Sequence, residues 1–238
     1  MSRKKTILFA SAVIFACLVS SLAALRMLAA VPEAPLFAAD KGKLNIRLEG
    51  KTVGTERFDI APVGGGWQAK GTTELTMPGA AGATTVSGNL MLQPDGAPVS
   101  YEWTSRADKT NGAHIAFANG VAKITLEMQG ARPFEQDLTF NAPLIAVLDN
   151  NLYHQYALLA RVFDWSKRGT QTFPVLIPQD LTPGTITVEA TGTEKQDGKS
   201  YEGLRVTTVD LEVLLMLDAN HRLMRLEVPS AKVSVVRE

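Results

Sequence analysis

The chain has 238 residues, with 24 Lys and Arg balancing 24 Asp and Glu, 45% hydrophobic residues and one cysteine. No stretch gathers bases with aromatics, which excludes the electrostatic footprint of a nucleic-acid-binding protein. With Cys17 alone no internal disulfide can form, so a hydrophobic core has to hold whatever fold the chain adopts.

Ser2-Arg3-Lys4-Lys5 precedes nineteen uncharged residues from Ile7 to Leu25, the layout of a positive n-region and an apolar h-region. Residues 1–30 are therefore expected to be a signal peptide or a signal-anchor helix. The run is long enough to span a bilayer, while Ser21/Ala23 and Ala38-Ala39 offer small residues for cleavage. Either way the leading bases hold the N-terminus in the cytoplasm and place the remainder outside, in the periplasm or cell envelope, tethered to the inner membrane if uncleaved. Cys17, in Ile14-Phe15-Ala16-Cys17, stands where a lipidated cysteine would, but Phe15 fits that pattern poorly and the following residues stay apolar. A cysteine filling space in an apolar helix is the simpler reading. Residues 1–39 contain four bases and one acid, which leaves 20 bases against 23 acids beyond them.

Residues 31–41, with Pro32 and Pro35, read as a linker, and residues 42–238 as a single β-rich domain. Leu44, Ile46 and Leu48 alternate with polar neighbours, the period-two signature of a half-buried strand. Gly64-Gly65-Gly66, Pro94-Asp95-Gly96, Asn111-Gly112, Asn119-Gly120, Asp197-Gly198 and Asp218-Ala219-Asn220 each lie between alternating runs and predict antiparallel hairpins. About eleven strands are expected on this pattern. From Leu204 to Leu217 the apolar phase flips near Thr207-Thr208, as one long strand with a bulge would do, and bulges make a sheet curl. Between Asn150 and Trp165, Leu152, Tyr156, Leu159 and Phe163 recur at helical spacing. Asp149 or Asn150 is the expected N-cap, Lys167-Arg168 suit the C-terminal end and Gly169 ends the helix. The fold class is thus mainly β with one main helix: a long curled antiparallel sheet or half-barrel wrapped on that helix.

The constellations for chemistry are sparse. His114, His154 and His221 have no companion at ligand spacing, and His154 would stand about 140° around a helix from Asp149, so no metal site is expected and surface or boundary positions fit them better. Glu49, Glu127, Glu189, Glu212 and Glu227 alternate with apolar residues and read as a solvated sheet face. Asp164 opposes the helix dipole and should pair with Arg161 or Arg168. Gly64 to Ala69 formally satisfies G-x-G-x-x-A, but strands flank it and a turn explains it. No nucleophile and base stand at catalytic spacing, and no cofactor is implied. Aromatics do stand out. Tyr101, Trp103, Phe117, Tyr153, Tyr156 and Phe163 could line a pocket between sheet and helix, and ordinary core packing explains them as readily.

Leu44-Asn45-Ile46-Arg47-Leu48-Glu49-Gly50 with Val53-Gly54, Pro98-Val99-Ser100-Tyr101, Asp149-Asn150-Asn151-Leu152-Tyr153, Gly192-Thr193-Glu194 and Leu217 to Leu223 together resemble a broad group of uncharacterised bacterial envelope proteins. The resemblance implies a sheet curled around a helix, similar in shape to the lipoprotein-localisation carriers that hold acyl chains, and carries over no catalytic residue. The expected function is a non-enzymatic envelope protein binding an apolar ligand, such as an acyl chain, between sheet and helix. The alternatives are an interaction or assembly protein with no small-molecule ligand, whose protein partner the sequence does not name, and an enzyme of unknown class.

Overall fold

A computed structural model describes residues 35–80, 82–167, 169–196 and 198–238. The export segment expected over residues 1–30, Cys17 and Arg168 lie outside these residues. None of the described helices is long and apolar enough to cross a membrane.

Among the described residues fifteen strands form one sheet. In chain order they are β1 (Asp40–Leu48), β2 (Lys51–Val63), β3 (Gly66–Leu75), β4 (Thr84–Leu92), β5 (Pro98–Arg106), β6 (Thr110–Ala118), β7 (Val121–Met128), β8 (Phe134–Thr139), β9 (Ala146–Val147), β10 (Gln171–Ile177), β11 (Thr182–Gln196), β12 (Lys199–Thr207), β13 (Glu212–Leu217), β14 (Leu223–Val228) and β15 (Val233–Arg237). Among the described residues there is one α-helix, α1, spanning Gln155–Val162. The strands run as two meanders, β1 to β8 and β10 to β15, joined in the middle where β1 pairs with β15. All ladders are antiparallel except the short β9–β10 pair. The sheet curls until its far edges approach, with Gln136 of β8 donating to the Leu181 carbonyl ahead of β11 at 3.5 Å. Register shifts at Ile46/Arg47, Met91/Leu92, Ala190/Gly192 and Met216/Leu217 are the bulges that increase this curl.

The mainly-β curled sheet around one helix is what alternation and turn chemistry predicted, and several details differ. Leu204 to Leu217 is a hairpin rather than one bulged strand. Thr208 Oγ1 accepts from the backbone N–H groups of Asp210 and Leu211, folding the chain back so that β12 pairs with β13. The four-residue turn, Thr208 to Leu211, produces the phase flip that a bulge would also give. Asn111-Gly112 lies inside β6, with the turn three residues earlier. Asn119 and Gly120 do form a tight turn, with φ of 53° and 75°.

The N-terminal boundary also moves. The compact unit begins at Leu36, and Phe37 is 2% exposed with its ring edge-on to Trp67 at 5.7 Å. Leu36 to Lys41, read as linker from their lack of periodicity, thus belong to the domain. Asp40 fixes this arm: Arg237 donates to both its carboxylate oxygens, at 3.0 and 2.5 Å, and to the Lys41 carbonyl. The pair is nearly buried, at 9% and 8% side-chain exposure, and joins the first strand to the last.

Candidate functional site

The helix is anchored through the segment before it. Across the inner face one row of paired residues reads Phe58, Gly71, Gly88, Trp103, Ala113, and the two adjacent glycines leave a depression between large neighbours. Leu152 fills it: a Cβ on Gly88 would lie 2.3 Å from Leu152 Cδ1 and 2.8 Å from the Tyr101 hydroxyl. A Cβ on Gly71 would lie 2.6 Å from His154 Nδ1. Both glycines are therefore small because something packs on them, not because the backbone needs unusual angles.

Residues 150–154 form turns, so the helix is shorter than the Asn150–Trp165 expected from spacing. Asp149 is not its cap. The carboxylate accepts from the Tyr101 hydroxyl at 2.8 Å and from Gln179 at 2.9 Å, and the other oxygen accepts from Asn151 N–H at 3.1 Å. Glu56, on β2, takes the capping role across 97 positions of sequence. It accepts from the backbone N–H groups of Tyr153 and His154 at 2.8 and 3.4 Å and from His154 Nδ1 at 2.5 Å, and a carboxylate there suits the positive end of the helix. With Glu56 ionised, His154 carries its proton on Nδ1. His154 is 1% exposed and stacked on Phe58 at 5.7 Å, which corrects its expected surface or boundary position. The ring is drawn in because the sheet supplies a charged acceptor and a flat aromatic partner. Thr73 Oγ1 donates to the Asn151 carbonyl at 2.6 Å and completes the docking.

Beyond this anchor an apolar cleft lies between α1 and the sheet, lined by Leu90 and Leu92 of β4, Leu144 to Leu148, Leu158, Leu159 and Val162 of α1, Phe173 of β10 and Phe37 of the arm. Its outline encloses about 390 Å³ open to solvent, but only about 30 Å³ is free for a water-sized group. That is room for one or two waters. Gln155 reaches the same wall; its Oε1 accepts from Asp149 N–H at 2.6 Å, and its Nε2 turns toward the Tyr101 hydroxyl without a well-formed hydrogen bond.

None of the six aromatics singled out as ligand candidates lines this cleft. Tyr101 is fully buried, and burial together with the Asp149 charge pushes its hydroxyl well above the usual tyrosine range. Trp103 and Phe163 are core residues, Phe163 packing edge-on to Trp165 at 5.1 Å. Phe117, Tyr153 and Tyr156 are half-buried against the core. Burial pushes Tyr153 and Tyr156 each to about 12, with the Glu56 charge adding to the effect at Tyr153. Most of the cleft residues were missed because they are plain aliphatics, indistinguishable in sequence from core.

At the helix end Asp164 pairs with Lys167 at 3.0 Å and with Ser166, not with Arg161, and hydrogen bonds from Ser166 and Lys167 hold it at about 2. Among the described residues no three His, Cys, Asp or Glu side chains gather where a metal could bind. Glu49, Glu127 and Glu212 are exposed, whereas Glu189 and Glu227 are half-buried beside Arg205 and Arg225.

This arrangement defines a β-barrel-like protein with a docked internal helix. No protein family matches the chain, and no curated protein matches it either. Among solved structures it is similar to a β-barrel-like protein of the domain of unknown function DUF1849 from Brucella abortus, at 10% identity and a TM-score of 0.58, covering 86% of this chain and 96% of that one. A DUF1089 family protein from Pseudomonas aeruginosa matches at 8% identity with a TM-score of 0.48, over 84% of this chain and 95% of that one. The first likeness establishes the barrel-like fold.

Proposed function

We propose that this chain is a non-catalytic protein of the cell envelope, exported by its N-terminal apolar segment, that holds an apolar chain such as an acyl group between α1 and the sheet. The observation that carries the reading is the apolar cleft between α1 and the sheet, one wall of which is Phe37, from the described residues 35–39 that precede β1 without helix or strand. Burying a phenylalanine side chain is worth roughly 1.5–3 kcal/mol and each methylene about 0.8 kcal/mol, so about four methylenes match the ring and a longer chain supplies the surplus that association from solution requires. The resemblance to carriers that hold acyl chains points the same way. Mass spectrometry of organic extracts from protein purified out of envelopes should recover a stoichiometric amphiphile. Lipid-free protein whose Phe37→Ala form also takes up no alkyl probe would end this reading.

A specific observation favours the assembly alternative as a second reading. Met77, Met128, Phe134, Val209 and Leu211 are all exposed, Val209 to 96%, and strand direction places every one at the end of the sheet where β1 finishes. Apolar side chains gathered at one end suit contact with a partner. Cross-linking in intact cells from cysteines placed at Val209 and Phe134 should then capture one protein in stoichiometric yield.

A further inference from the structure

Three arginines and two aspartates lie within range of one another's charges. Asp40 is fully engaged by Arg237, as described, and Asp218 is engaged by Arg222, whose Nε donates at 2.8 Å and whose backbone N–H donates at 2.9 Å. Arg161, on α1, is the fifth member. Asp40 and Asp218 are both near enough to attract its charge and Arg222 near enough to repel it, yet among the described residues the Arg161 guanidinium makes no direct ion pair or hydrogen bond. It is half-buried, and the loss of hydration outweighs the attraction and lowers its pKa. The group is thus left with one uncompensated guanidinium, its two carboxylates already held by other arginines.

Arg161 does not line the cleft but flanks it on the helix. It follows Leu158 by three positions, one neighbour along the helix surface, and precedes Val162, and both of these line the cleft. Asp40, which acts on its charge, lies three residues beyond Phe37 on the opposite wall. We infer that the cleft takes an anionic amphiphile, an alkyl chain ending in a carboxylate or phosphate oxyanion, with the chain replacing Phe37 and the head group bound by the Arg161 guanidinium. The planar fork of arginine suits either oxyanion, and a half-buried site strengthens the pairing over one in open water. The inference rests on the apolar-chain reading and adds the head group and its residue.

The test uses the full-length protein in its own membranes, exposed to three photoactivatable probes of equal chain length: a diazirine-bearing dodecanoate, dodecyl phosphate and dodecanol. Labelled peptides are mapped by mass spectrometry, and labelling of the peptide around Leu158 and Val162 is compared. The wild type should label with at least one of the anionic probes roughly tenfold more than with the alcohol, the preference a single charge-assisted hydrogen bond gives. Preference for dodecanoate over dodecyl phosphate, or the reverse, identifies the oxyanion. Arg161→Gln should bring the anionic probe down to the level of the alcohol, while Arg161→Lys keeps part of the difference. Equal labelling by alcohol and anions in the wild type, or an undiminished preference in a folded Arg161→Gln protein, overturns the head-group assignment and leaves the apolar-chain reading standing. If no probe labels the cleft in the wild type or in Phe37→Ala, both fall together.

Discussion

Gly71 and Gly88 decide whether the internal segment can dock. Both have Cβ-sized space already occupied, by the His154 ring and by Leu152, so Gly71→Ala and Gly88→Ala should each destabilise the protein by about 1–3 kcal/mol through overpacking. A lower urea midpoint at unchanged slope would report it. Glu56 is the more demanding position. Glu56→Ala leaves two backbone N–H groups and a buried imidazole without their acceptor, and each orphaned donor costs about 1–3 kcal/mol. The expected result is a loss of at least about 3 kcal/mol, with rapid hydrogen exchange at the amides of Tyr153 and His154 if the domain still folds.

The element they hold, from Asp149 through α1, carries two hydroxyls whose ionisation links stability to alkali. Tyr153 and Tyr156 titrate at about 12 in the native protein against 10 for an ordinary tyrosine. Their contribution is complete below pH 10. Between 10 and 12 the unfolded chain releases protons that the native form still binds, so stability falls as pH rises through that window. Tyrosinate absorbance should therefore appear together with loss of tertiary signal, and Tyr156→Phe should unfold at higher pH than the wild type. This element was also the least legible in sequence. Helical spacing of Tyr156, Leu159 and Phe163 revealed a helix, but its first turn is replaced by contacts with Glu56, Thr73, Gly71 and Gly88, all some 60 to 100 positions away. Strands were legible because alternation is local. The aromatics drew attention as pocket residues for their size, whereas Tyr101 and Trp103 serve the core and the cleft is walled by Leu and Val that no local pattern separates from core.

At the scale of the molecule, the pairing of β1 with β15 brings the ends of the domain together at one end of the sheet, where Glu238 N–H donates to the Lys43 carbonyl at 3.0 Å. A circular permutant joining Glu238 to Leu36 through a short flexible linker, and opened in the turn between β7 and β8, should fold with near-native stability, since it cuts no ladder. Thermal unfolding followed by circular dichroism tests this, and a permutant that stays unfolded would mean the arm must be free to seat Phe37. The same seam has a consequence in time. Every other main ladder joins neighbours in sequence, so each meander can assemble as its chain appears, but β1 waits for residues 233–237, nearly the last to be made. A chain delivered N-terminus first through a narrow channel cannot close the β1–β15 seam until its tail has passed.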